Sequence, residues 1–324
     1  AARVFTCIGI GGLLAADTAT SSDICNDRNR SLAVVLVAGG FAFGVYLGAT
    51  FLAPLLKQFD WRVTFYLGAV FSLLFIPLVY FLVPETVTFL ERKRPDNALE
   101  RIQSIMRRLG HSVPQSLSST KTRVVEPVGI ASLFKTGLAP ITFILLFAYL
   151  GNVGTYYYFE KWIPTIVSDF GYTSSEATTV LGIISLGGVI GSIGLGIIAR
   201  FLPIRPLMVL CLISAAIGVA LFPHFTETLQ SMKFIGFFAG LFIFAAISGF
   251  FGLFAVSYPS SLLGSGSGLV LGVGRGGAVL GPMIPGFLFA AGVALQNIAI
   301  IMASGSFLAG LAVLFLRPQA ENSR

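Results

Sequence analysis

The chain has 324 residues, of which 55% are hydrophobic and only 11% are charged, and its formal net charge is +7. A soluble domain of this size carries about a quarter charged residues, so the composition excludes a soluble globular protein and predicts a polytopic membrane protein. The basic residues are spread between long apolar runs rather than gathered in one patch, and we expect no nucleic-acid partner.

Nine apolar runs reach the length of about 20 residues that an α-helix needs to cross a bilayer. They are rich in Gly, Leu and Phe and lack the alternation of a membrane β-barrel, so the predicted fold class is an all-α polytopic membrane protein. The nine predicted spans are residues 1–20, 31–56, 63–83, 138–159, 175–199, 204–222, 234–256, 265–291 and 297–316.

The first span begins abruptly, with the sequence AARVFTCIGIGG and neither a methionine nor a charged leader. We therefore expect a fragment that starts inside a transmembrane helix. Arg3 lies in this span, where it either contributes to an anion site or reaches the membrane interface. Asp17 lies at its inner end, where it either carries protons or pairs with Arg28 in the following loop.

A polar segment, residues 85–137, separates three spans from six. Its part from Pro95 to Leu109 has a helical apolar face and predicts a surface helix. The predicted domains are therefore a partial bundle (1–84), a linker (85–137), a six-helix bundle (138–318) and a tail (319–324). If the spans alternate, 15 of the 21 Lys and Arg residues share the side of the linker, against four on the other side. This bias predicts an inner (plasma) membrane protein whose linker and C-terminus are cytoplasmic.

Small residues recur at four-residue spacing in the second and eighth spans. Gly40, Gly44 and Gly48 share one helix face, as do Gly277 and Gly281. Such faces let helix backbones approach closely, and an echo between two membrane bundles is typical of transporters built from repeats. Ordinary helix packing gives the same pattern.

An arginine interrupts the eighth span, in GVGRGGAVLGP (residues 272–282). Arg275 comes roughly 16 Å along the helix from Gly264, near the bilayer centre. An arginine there costs about 2.5–3.5 kcal/mol on insertion scales, so we expect it to face water and bind a substrate carboxylate through its planar guanidinium. The alternative is an ion pair with an acid on a neighbouring helix. The glycines around it also fit a dinucleotide pattern, but that pattern needs a preceding strand, and we expect no cofactor and no metal.

Taken in order, several motifs resemble the major facilitator superfamily and, within it, the aromatic acid:proton symporters. RVFTCIGIGG with DICNDRNRS is similar to the fourth helix of that family and its following loop. DWRVTFYLGA, YYYFEKWIPTIVSDFGY and SGLVLGVGRGGAVLGP are similar to the sixth-helix junction, the seventh helix and the eleventh helix. A family member has twelve helices in two bundles of six, so the resemblance implies that the first three are missing here.

The resemblance implies a secondary transporter that takes up a small aromatic carboxylate with a proton by alternating access. Arg275 and Arg3 would bind the organic anion, and Tyr157 and Trp162 would stack on its ring or close the outer gate. An aromatic belt at the membrane interface explains the same two aromatic residues without a substrate. The implied partners are the anion, the proton and the lipid bilayer, and the expected state is a monomer.

Other assignments follow from the loop motifs. Asp23, Arg28 and Arg30 match the acidic residue and the arginines of the family's gating loop, and Asp17 is a candidate for proton coupling. The chain departs from the family at Ala199, where the family places an aspartate, and this puts the cytoplasmic gate in doubt.

Four alternatives remain open from the sequence. They are an efflux pump of the same superfamily, a carrier for sugars or other neutral solutes, a non-transporting receptor or decayed fragment, and a membrane-embedded enzyme. The last would need paired Asp, His or Ser residues at depth, which the spans do not offer, so we do not expect an enzyme.

Overall fold

The computed structural model describes residues 30–82, 97–108, 133–134, 137–259 and 262–316, together with residues 85, 87 and 90. Of residues 30–38 it describes the backbone alone. The α-helices, in chain order, are α1 Arg30–Leu55, α2 Val63–Leu82, α3 Ala98–Arg108, α4 Ala139–Asp169, α5 Ser174–Ile198, α6 Ile204–Leu221, α7 Leu229–Ser257, α8 Leu263–Gly274, α9 Gly276–Ala290 and α10 Leu295–Leu314.

Seven segments of the described chain are long and apolar enough to cross a membrane. They correspond to seven of the nine predicted spans, and α8 with α9 forms one of them, Gly264–Ala290. The helix ends agree with the prediction within two residues, except that α4 runs ten residues further and α7 begins five residues earlier. The second predicted span corresponds to α1, and the first lies outside the described residues.

The chain divides into two compact units, residues 1–37 with 60–127 and residues 38–59 with 128–324. In the smaller unit, α2 is apolar throughout and buries none of its residues among the described chain, the pattern of a membrane span. The linker helix α3 lies within the predicted surface helix, and its predicted apolar face includes the buried Ile102. Arg101 on its polar face forms an exposed ion pair with Glu85 at 3.1 Å.

In the larger unit, α4 is the central helix. It packs against each of the helices α5 to α10. The turn that leads from α4 to α5 is specified locally. Gly171 ends α4 with a φ of +88°, a left-handed conformation that glycine adopts without strain. Thr173 and Glu176 then form a capping box, in which the Glu176 carboxylate accepts from the Thr173 backbone at 2.9 Å.

Close backbone contacts hold this bundle together. A Cβ atom added at Gly191 would overlap the carbonyl of Leu241, and one at Gly240 would overlap the carbonyl of Ile184, so α5 and α7 touch backbone to backbone. Buried hydroxyls add a polar contact between the same helices, where Ser248 donates to Ser192 at 3.0 Å.

The second half of α1 belongs to the larger unit and packs on α5. The Ser175 hydroxyl donates to the carbonyl of Ala53 at 2.7 Å, and Ala49 lies against Gly182. The predicted small-residue face of this helix points elsewhere, since no described atom lies within 4 Å of a Cβ built at Gly40, Gly44 or Gly48. Among the described residues, the close glycine packing predicted for the second and eighth spans is therefore seen in the eighth, described next, and not at these three positions.

Candidate functional site

Arg275 lies inside the eighth predicted span, at a one-residue tightening between α8 and α9, and its own backbone keeps a helical φ of −64°. Its backbone N–H donates to Leu271 at 3.1 Å, whereas its carbonyl accepts from Ala278, three residues on, at 2.9 Å. This tight turn separates α8 from α9 and lies about 16 Å into a span that is roughly 40 Å long.

The side chain of Arg275 reaches back to the central helix α4. Its guanidinium lies close enough to the Tyr149 hydroxyl to interact with it electrostatically. Tyr149 is held in turn by two buried aromatic rings of α7, those of Phe250 at 5.2 Å and Phe254 at 6.1 Å between centroids. The Arg275 guanidinium therefore lies against α4 and does not point away from the larger unit.

Glycine makes the contact between Tyr149 and the backbone around Arg275 possible. A Cβ atom at Gly274 would overlap the Tyr149 ring, one at Gly277 would lie 2.5 Å from the Leu150 carbonyl oxygen, and one at Gly281 would lie 2.6 Å from the Gly154 carbonyl oxygen. The three glycines recur at helical spacing on one face of α8 and α9. They bring the backbone that carries Arg275 directly onto α4.

Ion pairing does not account for Arg275 within the described part of the chain. The ion pairs there join Arg62 to Asp60, Arg101 to Glu85 and Lys161 to Glu160. Arg275 is also exposed in the bundle as described. Arg275 is thus a cation at mid-span that has a phenol beside it and no described acid paired with it. Its unused hydrogen-bond donors suit the two oxygens of a carboxylate.

Tyr157 and Trp162, the two predicted aromatic ligands, lie further along α4 and differ in their surroundings. Tyr157 is half-buried, and its ring lies 4.9 Å from that of Tyr156 and 5.9 Å from the Lys161 ammonium. It follows Tyr149 by eight residues, about 12 Å along the helix.

Trp162 is used to join two helices. Its indole N–H donates to the carbonyl of Pro282 at 3.0 Å, and its ring stacks on Phe289 at 4.8 Å. Tyr149 and Trp162 are 13 residues apart, roughly 20 Å along α4, so the structure does not bring Trp162 to Arg275. Packing between α4 and α9 explains this tryptophan without a substrate.

A buried polar network joins α4 to α10. Asn152 accepts from the Ser306 hydroxyl at 2.9 Å, and the Thr155 hydroxyl donates to the carbonyl of Met302 at 2.6 Å. The amide nitrogen of Asn152 is buried and has no hydrogen-bond partner among the described atoms. This network lies one turn from Tyr149 and fixes the rotation of α4 about its axis.

Sequence reasoning missed Tyr149 and the position of Glu160 inside helix α4. Tyr149 looks like one more aromatic side chain in an apolar run, and only the packing of α8 shows that it meets Arg275. Glu160 fell outside the predicted span that ended at residue 159, whereas α4 continues to Asp169 and includes it. The signal that could have placed Glu160 inside the helix is the apolar helical pattern that continues on both sides of it.

The remaining predicted site residues lie where the structure gives no side chains. Arg3, Asp17, Asp23 and Arg28 are outside the described residues, and Arg30 is described by its backbone alone, as the first residue of α1. The second anion ligand, the proton-coupling acid and the gating loop therefore stay predictions.

Comparison with known proteins decides the family. The family model described as Major Facilitator Superfamily matches residues 1–275. The chain belongs to the major facilitator superfamily. As membership in this transporter family implies, it is not an enzyme, and it is a multi-pass membrane protein. The resemblance that the motifs predicted is confirmed.

Its relatives include transporters of known substrates. The chain is 27% identical over 319 residues to a gallate transporter of Pseudomonas putida, and the match covers 96% of this chain and 70% of the relative. It is 28% identical over 316 residues to the 3-(3-hydroxy-phenyl)propionate transporter of Escherichia coli K12, with 97% and 70% covered. It is 27% identical over 326 residues to the gentisate transporter of Corynebacterium glutamicum, with 97% and 66% covered.

A solved structure supports the fold. The proton:xylose symporter XylE, a major facilitator protein determined with 6-bromo-6-deoxy-D-glucose, aligns with a TM-score of 0.67 over 93% of this chain and 67% of its own. The sequences are 18% identical, so this likeness speaks for the major-facilitator fold alone.

Proposed function

We propose that this member of the major facilitator superfamily is a secondary active transporter that takes up a small aromatic carboxylate together with a proton, by alternating access. The named relatives support the substrate class, since gallate, gentisate and hydroxyphenylpropionate are all aromatic carboxylates. The family supports the transport mode, in which two bundles rock about a site at the bilayer midplane.

Arg275 carries the proposal. A guanidinium in the middle of a span and without a described acid partner is costly unless an anion and water reach it. Its planar fork fits a carboxylate through two parallel hydrogen bonds. In this proposal Tyr149 orients the guanidinium, and Tyr157, about two helical turns away, is placed to meet the aromatic part of a ligand.

The other assignments of the site extend this proposal. Arg3 would add a second positive charge to the substrate site, and Asp17 would take part in proton transfer. Asp23, Arg28 and Arg30 would gate the cytoplasmic side. Trp162, because it joins α4 to α9, would act on the outer gate by helix packing and not by touching the substrate.

We also infer the orientation and the oligomeric state. The excess of basic residues on one side supports a cytoplasmic location for residues 85–137 and for the C-terminus in the inner membrane. The transport site would lie within one chain, so a monomer suffices. Labelling of single cysteines by a membrane-impermeant reagent in intact cells checks the orientation, and reaction within residues 85–137 would contradict it.

Uptake of labelled 4-hydroxybenzoate tests the function. We expect accumulation that rises with an inward proton gradient and is lost in Arg275→Ala. Arg275→Lys keeps the charge but loses the fork, so we expect it to transport with a raised KM. Arg107→Ala, which removes an exposed arginine of the linker helix α3, is the matched control and should transport normally.

Two results would contradict the proposal. If Arg275→Ala accumulates the labelled acid as well as the wild type does, the arginine has no part in substrate binding. If transport runs outward in vesicles of known orientation, the protein is an efflux carrier. The melting temperature of each variant, measured in parallel, separates loss of binding from loss of folding.

A further inference from the structure

An open groove lies between the second half of α1 and the start of α5, within the larger unit, and the proposed function does not use it. Its volume of about 330 Å³ is in the range of small-molecule sites. Ala49, Ala53 and Gly182 form its base, where the two helices touch. The contact between α1 and α5 therefore leaves room for a ligand along one side of it.

The groove extends from the membrane interface into the hydrocarbon core. Lys57 follows the end of α1 and, as a long charged side chain, lies at the interface. It is close enough to Glu176, in the first turn of α5, to interact with it electrostatically. Tyr46 comes 11 residues earlier in α1, roughly 16 Å along the helix. Because the interfacial layer of one leaflet is about 5–7 Å thick, the groove reaches about 10 Å into the core.

Both walls of the groove continue into apolar surface of the bundle. On α1, the exposed Phe43 and Leu47 share a helix face with Thr50, at spacings of four and three residues. On α5, the exposed Ile190 lies two turns beyond Ile183 on the same face. Large apolar side chains that stay exposed on membrane helices have lipid as their solvent. The groove therefore opens toward the acyl chains of the bilayer.

The aliphatic hydroxyls of the groove are already satisfied by backbone carbonyls. Thr50 donates to Tyr46 at 2.8 Å, Thr179 donates to Ser175 at 2.9 Å, and Ser175 donates to Ala53 at 2.7 Å. Such bonds let hydroxyl groups lie at membrane depth without water.

Two donors of the groove remain unused. The Tyr46 phenol and the Lys57 ammonium make no hydrogen bond with a described residue. The Glu176 carboxylate near Lys57 is held by Thr173 in the capping box of α5, and it forms no ion pair with the lysine. The groove thus offers one cation at its mouth and one neutral donor deeper down.

We propose that this groove binds a glycerophospholipid of the surrounding leaflet, independently of the carboxylate site at Arg275. The Lys57 ammonium binds the phosphate, which is the anion that the bilayer itself supplies at this depth. The Tyr46 phenol donates to an ester carbonyl oxygen, the next acceptor below the phosphate. One acyl chain lies along the apolar stripe that includes Phe43 and Leu47.

The order of polarity along the groove favours a lipid over other ligands. A cation, a single donor and an apolar stripe follow one another from the interface inward, as the phosphate, the esters and the acyl chains do in a phospholipid. A soluble phosphate would use Lys57 and leave the apolar walls uncovered. A purely apolar molecule would leave both donors without a partner, which is unfavourable inside a membrane.

Native mass spectrometry of the purified full chain tests the site. With added dioleoyl phosphatidylglycerol we expect a bound lipid whose affinity falls several-fold in Lys57→Gln and by a smaller factor in Tyr46→Phe. Lys233→Gln is the matched control, since it removes a lysine near the start of α7 that does not line the groove, and it should bind the lipid normally. Wild-type affinity in Lys57→Gln would overturn the proposal.

Two competitors show which part of the lipid is recognised. Dioleoylglycerol has the same chains without the phosphate, so we expect it to displace the bound lipid poorly. Displacement equal to that by the phospholipid would make the groove a purely apolar contact. Glycerol 3-phosphate has the phosphate without the chains, and displacement by it would assign the groove to a soluble anion. Either result would overturn the phospholipid assignment.

Filling the groove tests its location. Thr179→Trp places a large ring in the α5 wall, and we expect it to lower the affinity at least as much as Lys57→Gln does. Phe234→Trp puts the same side chain on an exposed position of α7 and should leave binding unchanged. Normal binding in Thr179→Trp would show that the lipid lies elsewhere. The Tm of each variant without added lipid separates loss of the site from loss of the fold.

Discussion

The glycine face of α9 provides a test of how Arg275 is held. Gly281 lies against α4 so closely that a Cβ atom there would stand 2.6 Å from the carbonyl oxygen of Gly154 and 3.0 Å from the Cβ of Tyr157. Ordinary contact begins near 3.4 Å, so Gly281→Ala forces α9 away from α4 by about 0.8 Å. Both neighbours belong to one helix, one of them to its backbone, so rotation of a side chain cannot relieve the overlap.

The expected cost follows from overpacking. Inserting a methyl group into a packed helix interface costs about 1–3 kcal/mol, which corresponds to a fall in Tm on the order of 5 °C. The same displacement moves the backbone that carries Arg275, so we also expect the KM for labelled 4-hydroxybenzoate to rise several-fold. We measure Tm by fluorescence-detected unfolding of the purified protein, and KM by initial uptake rates.

Gly272→Ala is the matched control. Gly272 is exposed on α8, and no described atom lies within 4 Å of a Cβ built there. Alanine is a better helix former than glycine by about 1 kcal/mol, so this variant should be as stable as the wild type or slightly more stable. If Gly281→Ala melts with the wild type, or if both variants lose the same stability, the close contact between α4 and α9 is not what positions Arg275.

Two further variants test other contacts. Trp162→Phe keeps the stacking on Phe289 but loses the hydrogen bond to Pro282. The Tm should therefore fall by the equivalent of about 1 kcal/mol, while the KM stays unchanged. A large rise in KM at unchanged Tm would show that the indole touches the substrate. Thr173→Ala removes the capping box with Glu176 and should lower the stability of the start of α5 by about 1 kcal/mol. We expect faster amide exchange in the first turn of α5. Unchanged exchange would contradict the local role of the cap.

The sequence by itself determined the membrane class, the approximate positions of seven spans and the depth of Arg275. These are one-dimensional properties, since the length of an apolar run and the distance of a charge from its ends can be counted along the chain. The family resemblance was also readable, because its motifs keep their order. The largest error was at the end of α4, where Glu160 and Lys161 look like the edge of a span although the helix continues past them to Asp169.

Only the tertiary structure decided what each buried polar group meets. Tyr149 and Arg275 are 126 residues apart in the sequence, and Trp162 bonds to a carbonyl 120 residues away. Such pairs depend on the rotation and register of whole helices. The close glycine contacts between helices fix this rotation and register, and no local sequence pattern encodes them. For the same reason the sequence could name Arg275, whereas the phenol that lies beside it emerged from helix packing.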